Sequence, residues 1–213
     1  MDEAEEELDM FRLLAQKTKK QSSAGSKKKR DRMLARDIMQ TSFFRIDAKE
    51  PVSRLFGQMI EQDQRAAVVF EGKRYLGIAH ARKLLRSKIH VNSWRVRRVC
   101  SRPARLSIDE DFLEIVRKMY VSDTPILPVF AADIVGIVRE EDILGVIKPD
   151  LREVLVKDLK MPYLWTVKEK DRTGKVIEIM SEDRVESLPV VDRAGKLLGV
   201  VRLFNIIKDF GWL

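Results

Sequence analysis

The chain has 213 residues, 45% of them apolar, and a formal net charge of +8, which allows one or two domains with a sizeable core. No apolar run approaches the length that spans a bilayer, and the acidic start Met1-Asp-Glu-Ala-Glu is the opposite of a secretory signal. The single cysteine, Cys100, forbids an internal disulfide, so a cytoplasmic protein without membrane segments is expected.

Residues 2–17 open with carboxylates suited to the positive end of a helix dipole and continue with Leu8, Phe11 and Leu14 at helical spacing. Residues 18–31 carry lysines, serines and no apolar period. Residues 1–32 therefore predict a helix followed by a flexible basic linker. Beyond them one unit recurs three times. Ala66–Phe70 and Tyr75–Ala79 form an apolar pair around Glu71-Gly-Lys73, followed by Lys83-Leu-Leu85. Ile126–Phe130 and Ile134–Val138 flank Ala131-Ala-Asp133 and lead into Glu141-Asp-Ile-Leu144. Leu188–Val191 and Leu197–Val201 flank Asp192-Arg-Ala-Gly195, and the apolar period then changes to helical at Phe204, Ile207 and Phe210.

Gly77, Gly136 and Gly199 stand inside the second run of each pair, and Met59, Met119 and Met180 in the helical stretch before it, all spaced by about 60 residues. Ahead of each unit stands a lead segment: Arg36-Asp-Ile-Met39, Arg97-Arg-Val-Cys100 and Lys157-Asp-Leu-Lys160. The order predicted is strand, helix, strand, strand, helix. Pro128 and Pro189 are expected to open a strand or sit on an edge, because proline cannot donate to a ladder. Cys100 lacks the partners of a nucleophile and reads as a small apolar residue at a strand end.

The Asp-Ile-Met lead, the Leu-Pro-Val-Val-Asp run, the glycine-bearing hairpin and the closing helix together resemble the cystathionine-beta-synthase (CBS) domain. The resemblance covers about Met33 to Leu213. The third copy matches best, the second well, and the first has Ala67 in place of the proline. It implies an α+β fold of repeated β-α-β-β-α units at 33–92, 93–150 and 151–213. The first two would pair about a pseudo-two-fold as a Bateman module. The third would lack a partner inside the chain, so an isologous homodimer is expected, or else a fourth repeat has been lost.

The family's ligand site carries Ser or Thr and, three residues on, Asp, where the last strand meets the last helix. Phosphate meets the hydroxyl and the helix N-terminus, and ribose hydroxyls donate to the aspartate. Here those pairs are His80 and Lys83, Arg139 and Asp142, and Arg202 and Asn205. Only Asp142 matches; the arginines offer phosphate a bidentate grip instead. Arg98 and Pro128 complete the candidate ligand set. The resemblance implies a non-catalytic sensor of AMP, ADP, ATP or S-adenosylmethionine that signals to a partner. No catalytic residue, metal ligand set or phosphate loop is present in the pattern.

Charge suggests an alternative. Residues 65–105 hold twelve cations against Glu71 alone, a balance of +11, and a field of one sign favours an anionic partner. With its ligand sites degenerate, the chain would then be an interaction scaffold whose basic face binds nucleic acid or an acidic protein.

Overall fold

The computed structural model describes residues 32–81, 84, 93–122, 124–148, 155–156, 164–183 and 185–210. The expected N-terminal helix and linker, apart from Arg32, and the candidate site residue Lys83 lie outside the described residues. A short helix α1 (Ala35–Ile38) precedes the first repeat: β1 (Arg45–Asp47), α2 (Val52–Glu61), β2 (Ala66–Glu71) and β3 (Arg74–His80). The second has β4 (Leu106–Ser107), α3 (Phe112–Val121), β5 (Ile126–Phe130), β6 (Ile134–Arg139) and α4 (Glu140–Ile147). The third has β7 (Val167–Lys168), α5 (Thr173–Glu182), β8 (Ser187–Val191), β9 (Leu197–Arg202) and α6 (Leu203–Phe210). Each repeat builds its own three-stranded mixed sheet, with the middle strand parallel to the first and antiparallel to the third. The expected α+β fold is what forms.

The helices are held by apolar residues one turn apart: Leu55 and Met59, Ile115 and Met119, Val176 and Met180, all buried. Each pair packs on the inward face of its own sheet, giving three separate cores.

The prolines correct the sequence reading. Pro128 and Pro189 sit inside the middle strands, opposite Ile137 and Val200, and the register puts Val68, not Ala67, at their position in the first repeat. The missing N–H does no harm because Ile137 turns its own N–H and C=O outward, to Gln40, at 3.0 and 2.8 Å. On the other side the first strand begins one residue later, pairing only with Val129 and Phe130, or with Val190 and Val191. Where valine restores the donor, Val68 N–H bonds Phe44 O at 2.9 Å and β1 gains a residue of pairing. Proline therefore shortens the first strand without breaking the sheet.

The first two lead segments do not seat on the repeats they precede, and the third, residues 157–160, lies outside the described residues. Residues 94–101, with a 3-10 turn at Val96–Arg98, join the first repeat through Val52 N to Trp94 O, Val96 N to Glu50 O, Arg97 N to Ala48 O, and a mutual pair between Ser101 and Ile78 at 2.7 Å each way. Residues 33–40 join the second repeat by the same five bonds: Phe112 N to Met33 O, Ala35 N to Glu110 O, Arg36 N to Ile108 O, and the mutual pair between Gln40 and Ile137. Val96 and Val99 enter the first core, Ala35 and Ile38 the second.

The close approach dictates glycine at the strand position beneath each guest. A Cβ on Gly77 would fall on the Ser101 carbonyl oxygen, and one on Gly136 would lie 2.8 Å from Met39 Sδ and 2.9 Å from Gln40 O.

The chain divides into two compact units, residues 1–41 with 104–161 and residues 42–103 with 162–213. The third repeat's sheet shares a unit with the first repeat's, and within that unit Arg65 Nη1 lies 3.4 Å from Glu186 Oε2.

Candidate functional site

In all three repeats the turn from third strand to last helix is pinned the same way. The residue after the strand donates its N–H to the carbonyl just ahead of the middle strand: Ala81 to Arg65 O at 2.8 Å, Glu140 to Pro125 O at 3.0 Å, Leu203 to Glu186 O at 2.9 Å. In the second and third repeats this fixes where the last strand residue and the third residue of the helix stand, the two positions singled out from the sequence.

Of the two pairs that lie wholly among the described residues, the side chains meet in the second repeat and not in the third. Asp142, in the first turn of α4, accepts the Arg139 backbone N–H at 2.9 Å, the reach-back of a capping box. Arg139 adds a two-pronged contact, Nε to Oδ2 at 3.2 Å and Nη2 to Oδ1 at 3.0 Å. A fourth donor comes from the lead segment, Gln40 Nε2 to Oδ1 at 3.0 Å. The carboxylate is only 8% exposed, whereas the Arg139 side chain is 41% exposed. Burial alone would lift the Asp142 carboxyl. The hydrogen bonds from the Arg139 side chain and backbone and from Gln40 outweigh it and hold the group below the ordinary aspartate range. The same contact raises Arg139 above the usual guanidinium value. The corner is therefore an ion pair at the head of a helix, with a cation partly open to solvent and an acceptor behind it.

The other candidates are dispersed. His80 ends β3 opposite Ala66 and is buried, 5% exposed. Arg202 and Asn205 are exposed, and their side chains bond no other described residue. Pro128 is buried within β5, away from the turn. Arg98 lays its guanidinium over the Trp94 ring, 4.3 Å from the centroid. His80, Arg98, Arg202 and Asn205 belong to one compact unit, Arg139, Asp142 and Pro128 to the other. Gln40 went unnoticed in the sequence, because nothing local shows that a residue at the edge of the linker will lie beside one 102 positions later.

The basic stretch is less free than its charge suggests. Arg65 pairs with Glu186, Arg74 and Arg97 share Glu71, Arg102 donates to Leu76 O, and Arg105 stacks on Phe130. Arg82, Lys83, Arg86 and Lys88 lie outside the described residues. Among the described residues there is no cluster of metal-binding side chains and no helix long and apolar enough to cross a membrane.

A family model, the CBS domain, matches residues 35–90 and 156–210, more than half of the chain. The middle repeat lies between these stretches and carries the same strand order. Among curated proteins, the uncharacterized protein MK0525 of Methanopyrus kandleri is 32% identical over 79 residues, 35% of this chain and 39% of that protein. The match thus spans about two fifths of the length of that relative. Protein MJ1225 from Methanocaldococcus jannaschii superposes with a TM-score of 0.74 at 16% identity, over 84% of this chain and 73% of that one. The CBS domain of a bacterial CNNM/CorC family Mg2+ transporter does so with a TM-score of 0.53 at 17% identity, over 58% of this chain and 93% of that one. At such identities the structural likeness speaks for the fold. By family match and architecture together, the chain belongs to the CBS domain family.

Proposed function

We propose that the chain is a non-catalytic regulatory protein that binds an adenosine-type nucleotide and relays its presence to a partner. The observation that carries this reading is the Arg139–Asp142 pair at the head of α4, a phosphate grip beside a ribose acceptor. Support also comes from the transporter CBS domain of similar fold, which was solved in complex with ATP. In this reading a phosphate draws Arg139 outward and a ribose hydroxyl donates to Asp142 in its place. Gln40 then loses its acceptor, and the seated lead segment loses a side-chain anchor. The ligand shifts the segment only by its differential affinity for the two arrangements.

Thermal unfolding against AMP, ADP, ATP and S-adenosylmethionine tests this. A ligand at a hundred times its dissociation constant adds about 2.7 kcal/mol. The shift should vanish in Arg139→Ala, whose own unfolding midpoint without ligand serves as the control. No shift with any of the four overturns the reading.

A second reading, a scaffold with spent ligand sites, is favoured by the four bonds already satisfying Asp142. It gains if the nucleotides have no effect and nucleic acid binds with a steep salt dependence, roughly one power of salt per phosphate contacted.

A further inference from the structure

Residues 33–40 and 94–101 seat on the second and first repeats by the same five backbone bonds, and their side chains follow one pattern. Met33 and Trp94 lead, Ala35 and Val96 stand two places on, Arg36 and Arg97 come next, and Ile38 and Val99 two places later. The alanine, the valines and the isoleucine enter the cores. Each arginine finds an acid on its host, Arg36 on Asp109 and Arg97 on Glu71 at 2.7 Å.

The third repeat holds out the same groups. By register, Thr173 N–H, Asp171 O, Glu169 O and the outward N–H and C=O of Val200 stand where the two hosts make their bonds. Among the described residues nothing bonds any of them. A Cβ on Gly199 would meet no described atom within 4 Å, in contrast to Gly77 and Gly136. Val200 is 51% exposed, where its counterparts Ile78 and Ile137 are 0% and 5% exposed. Val190 and Val201 are only half-buried, whereas Val69, Ala79, Val129 and Val138 at their positions are 0% exposed. The core of this repeat is less covered than the two that have received a guest. In charge the third host resembles the first: Lys170 stands at the position of Lys49, and Asp192 at that of Glu71.

We propose that this seat takes up an extended segment of a partner protein with the pattern that fills the other two: a large apolar residue, a small apolar residue two places on, an arginine or lysine next, and a branched apolar residue two places later. The main chain of the segment satisfies the open backbone groups, its apolar side chains complete the core, and its cation meets Asp192. Main-chain bonds give such a contact its affinity and the side-chain positions give it specificity. The exposed edge of β9 is thereby matched. The proposal names a partner contact for the regulatory reading and does not rest on nucleotide binding.

The probe is a synthetic peptide with the sequence of residues 93–102 carrying Cys100→Ser, because 33–40 and 94–101 already fill the other two seats. Titrated into the isotope-labelled full chain up to about 1 mM, it should bind saturably and slow hydrogen exchange at the Val200 and Thr173 amides. Gly199→Val, which has room in the free chain, should abolish binding with an unchanged far-UV dichroism spectrum. Asp192→Asn keeps the acceptor that the Ala194 and Lys196 N–H groups use. It should weaken binding about two- to fivefold, and that loss should be absent with a peptide carrying Arg97→Ala. No binding up to about 1 mM, binding that survives Gly199→Val, or a Val200 amide already protected in the free chain, by its own residues or by a second copy, would each overturn the proposal.

Discussion

Gln40 and Asp142, 102 positions apart, are joined by a 3.0 Å hydrogen bond from amide to carboxylate. One end lies in the segment ahead of the first repeat and the other in the helix that closes the second. Asp142 is the residue that matches the family's ligand pattern, and it also fastens a seated segment.

Removing the carboxylate tests that second role. Asp142→Ala leaves the Arg139 N–H and guanidinium without their acceptor and should cost about 1–3 kcal/mol; Gln40→Ala should cost about 0.5–1.5 kcal/mol. Because the two share a bond, the double variant should lose at least 0.5 kcal/mol less than the sum. Urea unfolding of the four proteins measures this, and strictly additive losses would show that the bond carries no energy.

Acid should unfasten the same corner. The folded-state carboxyl lies below its ordinary value, so its contribution is fully present above the usual aspartate range and disappears as pH falls through the lowered value. The difference in urea midpoint between wild type and Asp142→Asn should stay flat from about pH 8 to pH 5 and narrow only below about pH 4. Narrowing above pH 5 would mean that burial, not Arg139, dominates.

The glycines should rank by what lies above them. Gly77→Ala meets a backbone carbonyl and should cost more than 2 kcal/mol, on the order of severe overpacking. Gly136→Ala meets first the movable Met39 sulfur and should cost less, about 1–2 kcal/mol. Equal losses, read by thermal or chemical unfolding, would contradict the order.

Proline and valine should not be interchangeable between repeats. Val68→Pro removes the donor to Phe44 O and should cost about 1–3 kcal/mol. Pro128→Val adds a donor where none is needed and should change stability by less than about 1 kcal/mol. A tolerated Val68→Pro would show that β1 does not depend on that bond.

The repeat was legible because its markers are local. The methionines at helical spacing, the turn residues and the glycines reflect the same packing problem solved three times over. Asp142 was singled out by the resemblance to the family pattern, and its place in the first turn of a helix gives the carboxylate a local role whatever else it touches. Where each lead segment lands was not legible. Arg36–Met39 and Arg97–Cys100 are alike in pattern, and what distinguishes their hosts, Asp109 and Asp142 for one and Glu71 for the other, lies far away in the chain. The prolines misled because edge position was judged from the donor alone. Which neighbours Pro128 lacks depends on a two-residue first strand and on an outward-facing Ile137, and neither can be seen in a single run of sequence.

The seating of the first two lead segments, each on the other's repeat, also decides how the chain can be cut and in what order it is made. A fragment ending at residue 92 would give the first sheet no guest, while one spanning 42–103 carries both. During synthesis the first sheet need wait little for its guest, since Ile78 and Ser101 are 23 positions apart. The guest of the second sheet leaves the ribosome first, and its apolar Ala35 and Ile38 have no host until the chain has grown past Ile137 and Asp142. At translation rates of about 5–20 residues per second that is an interval of several seconds, in which a short apolar stretch is open to chaperones and proteases alike.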